Sequence, residues 1–473
     1  MEAHDPADVE KKAEVTFRDR IATVNEEGGR NWVYPKKPSG RFYTWRKVVS
    51  YLLLAFLVFA PVIKINGEQL ILLNIIERKF VLFGVTFWPQ DFHLFVLIMI
   101  ATVVFVFLFT AVYGRIFCGW ICPQTIFMEM VFRRIEYAIE GDAQQQRALN
   151  AQPWTMSKIL KKGSKQIIFF GIAFFISNLF LSYIIGVDQL RTIVSEPPSK
   201  HLGGFIAILL FSGAFYFVFA WFREQVCTLV CPYGRLQSVL LDENSVVISY
   251  DFERGEARKK FRIHDAREDA GHCVDCHQCV VVCPTSIDIR NGTQLECINC
   301  TACIDACDNV MDKVGFPRGL IRYASYNAIA TGSKKIFTTR VIAYTAVLTV
   351  IVGVLLFLFS ARADVETTIL RAPGSLYIKL DDQTVRNLFT IRVVNKTREA
   401  LPIELKLLRP EGTLQIIGTN RVTAAATGIA ETAFFIDLKR SVLDGVKTPV
   451  IIGIYSEGRL LEEVHTGFMG PNQ

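Results

Sequence analysis

The sequence predicts a multi-domain protein: an α-helical membrane bundle of about five spans, an inserted ferredoxin-like segment, and a C-terminal all-β sandwich of immunoglobulin-like type. Three observations predict it. Long apolar runs alternate with charged connections, cysteines repeat at fixed spacings within a polar segment, and short alternating strands follow the last apolar run.

The spans come first. The 473 residues are 51% hydrophobic and include 36 phenylalanines. The apolar residues gather in runs rather than spreading as one core would require. Runs at 48–65, 92–113, 166–186, 203–222 and 340–360 meet the roughly 17–25 mostly apolar residues that cross a bilayer. Pro61 lies near the end of the first and blurs its boundary. The polar first 47 residues predict no cleaved signal peptide, because the first apolar run is too long and too far in.

Charge sets orientation. Lys36, Lys37, Arg41, Arg46 and Lys47 precede the first span. Arg115, Arg133, Arg134, Arg147, Lys158, Lys161, Lys162 and Lys165 lie between the second and third. Between the third and fourth, Asp188, Arg191, Glu196 and Lys200 cancel. The positive-inside rule then places the N-terminus and residues 114–165 and 223–339 in the cytoplasm, and residues 361–473 on the other side. The expected division is a cytoplasmic segment 1–47, a membrane domain 48–240, a cytoplasmic ferredoxin-like domain 241–339, a fifth span 340–360 and a sandwich 361–473. Residues 66–91 form either a hairpin or an interfacial segment. The net charge of +7 reads as topology; without a clustered basic stripe, no nucleic-acid partner is expected, and membrane lipid is.

In the C-terminal segment Phe389, Ile391 and Val393 alternate with Thr390 and Arg392. Similar runs recur at Leu376–Leu380, Ile403–Leu408, Ala433–Leu438 and Val450–Tyr455, with turn residues between. No catalytic constellation accompanies them, so this is read as a docking or stabilising module.

All 12 cysteines fall into spaced groups and none lies in 308–473, a distribution for metal or redox chemistry rather than disulfides. Cys273, Cys276, Cys279 and Cys283 follow C-x2-C-x2-C-x3-C, and Cys297, Cys300, Cys303 and Cys307 repeat it 24 residues on. Three close cysteines wrap one [4Fe–4S] cubane while the fourth reaches the neighbouring one. The expected sets are Cys273, Cys276, Cys279 and Cys307 for one cluster, and Cys297, Cys300, Cys303 and Cys283 for the other. Zinc is the competing reading, but zinc ribbons use two C-x2-C pairs across a long loop. His272 and His277 flank the first triplet and, the ligand count being full, are expected to tune rather than to bind.

Two further pairs stand at span ends: Cys118 and Cys122 before Pro123, and Cys227 and Cys231 before Pro232. Proline suits the first position of a helix, which puts Cys122 and Cys231 at helix N-termini, where free amides favour a thiolate. Three readings stay open: a copper-handling site of soft ligands, thiol–disulfide cycling or another metal centre, and plain packing at helix ends. At the opposite face His93 precedes Cys118 by 25 residues and His201 precedes Cys227 by 26. The two are candidate ligands for a metal, a haem or a quinone, set against the commonness of interfacial histidines.

Together, Gly114-Arg115-Ile116-Phe117-Cys118-Gly119-Trp120-Ile121-Cys122-Pro123-Gln124, Arg223-Glu224-Gln225-Val226-Cys227-Thr228-Leu229-Val230-Cys231-Pro232-Tyr233, the two cluster motifs, and the stretch from Cys307-Asp308 through Met311 and Lys313 to Pro317-Arg318-Gly319 and Arg322-Tyr323 resemble the FixG/CcoG/RdxA family. The likeness spans roughly residues 35–473. It implies an inner-membrane protein of bacteria with a periplasmic immunoglobulin-like domain, an accessory to assembly of cbb3-type cytochrome c oxidase, and a cupric reductase supplying Cu(I). It also implies partners among the oxidase assembly factors or subunits, and a cytoplasmic electron donor. The positions it carries over are the eight cluster cysteines, then Cys118, Cys122, Cys227 and Cys231. Two other functions compete: a quinol-linked conduit to a periplasmic reductase, and a non-enzymatic scaffold or copper chaperone.

Overall fold

The computed structural model describes residues 23–260 and 270–471, apart from 25, 26, 28, 66, 77, 375, 398 and 419–421. The chain forms two compact units: residues 1–65, 69–83 and 89–355, and residues 66–68, 84–88 and 356–473.

Among the described residues five helices are long and apolar enough to cross a membrane: Arg41–Phe59, Phe92–Tyr113, Met156–Ile185, Pro198–Phe222 and Thr339–Ser360. The first starts seven residues before the apolar run. The Asp305 carboxylate accepts the backbone N–H groups of Phe42 (3.1 Å) and Tyr43 (2.7 Å), amides that a first turn otherwise leaves without partners. Its end at Phe59 follows from Pro61, since helices stop before the residue preceding a proline.

The third begins at Met156, with Thr155 accepting the Lys158 N–H. Its 30 residues measure about 45 Å, well beyond the hydrocarbon thickness of roughly 30 Å. The surplus is the lysine-bearing end. Residues 71–74 pair antiparallel with 79–82, so this part of the connection is a hairpin.

The polar part of the first unit is built round two cysteine loops. Strands Val247–Tyr250 and Ile321–Ala324 pair antiparallel, and helices Gln278–Val281 and Ala302–Val314 carry cysteines. Ile248, Ile304, Met311, Leu320 and Ile321 are buried between them.

The second unit is a sandwich. One sheet runs Gly412–Ile416, Ile429–Lys439, Thr384–Asn395 and Val365–Arg371, with Ile378–Lys379 also pairing with Thr384–Asn395. The other runs Val422–Ala424, Leu401–Arg409, Lys447–Ser456 and Arg459–Met469. Alternate residues Val385, Asn387, Phe389, Ile391 and Val393 point inward, as period-two patterning requires. The buried Asn387 is paired across the sheets, its amide donating to the Met469 carbonyl (2.8 Å) and accepting the Met469 N–H (3.1 Å).

Candidate functional site

The cysteine loops share an unusual backbone. Asp275 (φ 50°) and His277 (φ 54°) bracket Cys276, and Asn299 (φ 53°) and Thr301 (φ 66°) bracket Cys300 at the equivalent positions. Left-handed geometry is costly for residues with a Cβ, so it is held by its surroundings. It curls each triplet round a hollow. One cavity is lined by Cys273, Cys276, Cys279 and Cys307 with Tyr250 and Arg290. The other is lined by Cys279, Cys283, Cys297, Cys300 and Cys303. The fourth cysteine of each motif thus reaches the other motif's cavity.

Among the described residues no three His, Cys, Asp or Glu side chains converge closely enough for a single metal ion. A zinc set at about 2.3 Å from one centre would. Four thiols standing round a hollow fit the wider body of an iron–sulfur cubane. Burial pushes the Cys297 and Cys307 thiols up to about 12, so a group that binds thiolates must displace protons on entering.

The membrane-edge pairs lie against the second loop. Pro123 and Pro232 open helices, with Cys122 and Cys231 at their caps, and the Cys231 sulfur accepts the Gly234 N–H at 3.4 Å. Cys118 is buried among Val282, Ile298, Cys300 and Ala302. Its thiol donates to Gln237 Oε1 (2.9 Å), whose amide donates to Thr110. Gly119 makes this approach possible: a Cβ there would sit 2.5 Å from the Ile298 carbonyl oxygen.

Cys227 lines a third cavity with Gln124, Thr125, Met128, Glu129 and Glu224. Pro284, Thr285 and Ile298 line both this cavity and that of the second cysteine set. Burial pushes Cys118 up to about 11 against Arg115. It takes Cys227 to about 12, with Cys122, Cys118 and Cys231 adding to the rise. The four thiols are therefore electrostatic neighbours. Backbone with i→i+5 bonding runs through Phe127–Phe132, Val218–Phe222 and Val226–Val230, a local widening common at functional sites.

Beside this cavity lies a buried ion network that sequence reasoning missed. Arg133 meets Glu129 (2.6 Å) and Glu224 (3.4 Å), Arg30 meets Glu224 (2.9 Å), Arg223 meets Glu136 (2.7 Å), and Lys165 meets Glu140 (2.8 Å). Arg133 and Lys165, counted above as loop charges, are buried because these carboxylates neutralise them. The available signal was Glu129, Arg133, Glu136 and Glu140 at helical spacing. His201 pairs with Glu196 (2.8 Å), and His93 is exposed at the start of its helix. His272 stacks on Phe316.

Residues 222–326 match the family "4Fe-4S dicluster domain", and residues 93–138, which contain only Cys118 and Cys122 of the twelve cysteines, match "4Fe-4S binding domain". Residues 355–471 match the family "IG-like fold at C-terminal of FixG". Fold and site define a membrane-spanning iron–sulfur electron-transfer protein with an immunoglobulin-like domain.

The chain is 33% identical to the nitrogen fixation protein FixG of Rhizobium meliloti, covering 84% of this chain and 82% of that one. It is 34% identical to protein RdxA of Cereibacter sphaeroides (78% and 81% covered) and 31% identical to protein RdxB of the same organism (80% and 82%). It belongs to the FixG/RdxA family.

Proposed function

We propose that this protein reduces Cu(II) to Cu(I) at the cytoplasmic edge of the bacterial inner membrane, for assembly of a cbb3-type oxidase. The N-terminus and the cysteine loops face the cytoplasm and the sandwich faces the periplasm, as the loop charges support. Cys273, Cys276, Cys279 and Cys307 hold one [4Fe–4S] cluster, and Cys283, Cys297, Cys300 and Cys303 hold the other. The clusters supply one-electron storage and transfer, which matches a one-electron metal reduction.

The observation that carries the reading is the wall formed by Pro284, Thr285 and Ile298. On one side lies the second set of cluster cysteines, and on the other a cavity offering the Cys227 thiol and the Met128 thioether. A thiolate with a thioether is a soft donor pair that favours Cu(I) over hard ions, and so favours the product of the reduction. Glu129 and Glu224 add carboxylates to the same lining.

The test is anaerobic mixing of cluster-reduced protein with Cu(II) or with a quinone analogue, following cluster bleaching and Cu(I) formation. Cu(II) should oxidise the clusters stoichiometrically. Cys227→Ser and Met128→Leu should each slow this by roughly 10–100-fold, the range that even a ligand's supporting partner commands, with cluster EPR unchanged. Oxidation by the quinone but not by Cu(II) would sink the copper reading in favour of the quinol conduit. Intact clusters inert to both would leave the scaffold.

A further inference from the structure

The two cysteine motifs share spacing and backbone, yet among the described residues a buried arginine bonds the left-handed flanks of the first only. Arg290 lines the cavity of Cys273, Cys276, Cys279 and Cys307, and its side chain is 5% exposed. Its guanidinium bonds Asp275 (2.6 Å), Asp288 (2.9 and 2.6 Å) and His277 Nδ1 (2.9 Å). Since arginine only donates, Nδ1 accepts. The proton then sits on Nε2, 3.2 Å from Asp275, and the triangle closes.

Asp275 and His277 are the left-handed residues either side of Cys276, so Arg290 grips the strained loop on both flanks of its exposed cysteine. The position 24 residues on is Val314. At the second motif the Tyr323 hydroxyl donates to the Asn299 carbonyl (3.3 Å), and Thr301 bonds the Cys300 carbonyl (2.6 Å). That loop is buried, and the buried Arg115 beside it donates to the Leu295 carbonyl just before Cys297 rather than gripping the left-handed Asn299 and Thr301.

We propose that Arg290 is a positioning residue for the first cluster site: it fixes the loop and sets that cluster's reduction potential independently of the second. The inference rests on the ligand sets proposed above. Reduction adds one negative charge, so a fixed cation beside the site favours the reduced state and a fixed anion opposes it. Arginine stays charged at every working pH, and its planar fork suits two carboxylates at once. Asp288 is the matching lever of opposite sign.

The experiment is an EPR-monitored redox titration of the anaerobic full-length protein, resolving both clusters, for wild type, Arg290→Gln, Arg290→Lys and Asp288→Asn. Arg290→Gln should lower the first cluster's midpoint or lose that cluster alone, and Asp288→Asn should raise it. Arg290→Lys should hold the midpoint near wild type but release iron to a chelator faster, because the charge remains and the fork does not. The second cluster should not move in any variant. An unmoved first midpoint in both Asp288→Asn and Arg290→Gln, shifts of the same sign, or equal shifts of both clusters would overturn the proposal. If wild type shows one cluster, the ligand assignment fails instead, and this inference with it.

Discussion

The two cysteine sites are copies in sequence and opposites in setting. Around the first, Cys276 is exposed and the loop is held by the side chains of Arg290, Asp275 and Asp288. Around the second, Ile298, Asn299, Cys300 and Thr301 are buried, and the Gly119 backbone lies on their carbonyls. The repeat specifies how a loop turns its thiols round a hollow. Residues outside the repeat specify which neighbours that hollow has. One site meets water and the other meets the membrane-edge thiols.

The largest expected effect breaks this contrast at its tightest point. Gly119→Val would place a Cβ 2.5 Å from the Ile298 oxygen and 2.8 Å from the Asn299 oxygen. Both are backbone atoms that do not swing away. Overpacking of this kind costs about 1–3 kcal/mol or more, and here it falls on the second loop. The second cluster's EPR signal should vanish or change while the first persists. Loss of the first signal alone would show that the loops are not separately supported.

The parts of this molecule that rest on local pattern were legible in the sequence. Cysteine spacing fixes loop geometry within a dozen residues, and the structure places Cys283 in the lining of one cavity and Cys307 in that of the other. Apolar runs gave the membrane helices, and the alternation of Phe389, Ile391 and Val393 gave a sandwich strand. What failed depended on distant pairing. Glu129, one turn before Arg133, was a local signal for an ion pair, but the burial of that pair rests on Glu224, 91 residues from Arg133, and Lys165 shares Glu136 with Arg223, 87 residues from that carboxylate. The first helix's start at Arg41 depends on Asp305, more than 260 positions on. Met128 and Arg290 belong to no spacing pattern, so nothing short of the fold could have joined them to a cysteine.

Asp305 offers an intermediate effect that should respect no boundary between the sites. It sits between Cys303 and Cys307, which line different cavities, and it caps the first membrane helix. Burial raises its carboxyl above the usual range, against the Tyr43 and Phe42 amides that favour the charged form. Asp305→Ala removes the acceptor of both amides, a loss of about 1–2 kcal/mol for a cap. Iron release under chelator challenge should quicken for both clusters together. A selective loss of one would mean that helix Ala302–Val314 does not move as a unit.

The smallest effect sharpens the contrast instead. Tyr323→Phe deletes the one hydroxyl that reaches the left-handed Asn299 from the paired strand, and the 3.3 Å bond is long. Net worth for such a bond is near the lower end of the usual scale, about 0.5 kcal/mol, or roughly a twofold change in an equilibrium. Chelator extraction should then run about twice as fast for the second cluster and unchanged for the first. The mirror experiment is Arg290→Lys, where the first cluster alone should respond. Burial distributes the work of holding Asn299 and Thr301 over many contacts, so trimming one hydroxyl does little. At the first site the same work falls on a single guanidinium, and trimming it should do much more. Equal sensitivity of the two clusters to these two changes would show that the loops are held alike, and that Arg290 has no special hold on the first.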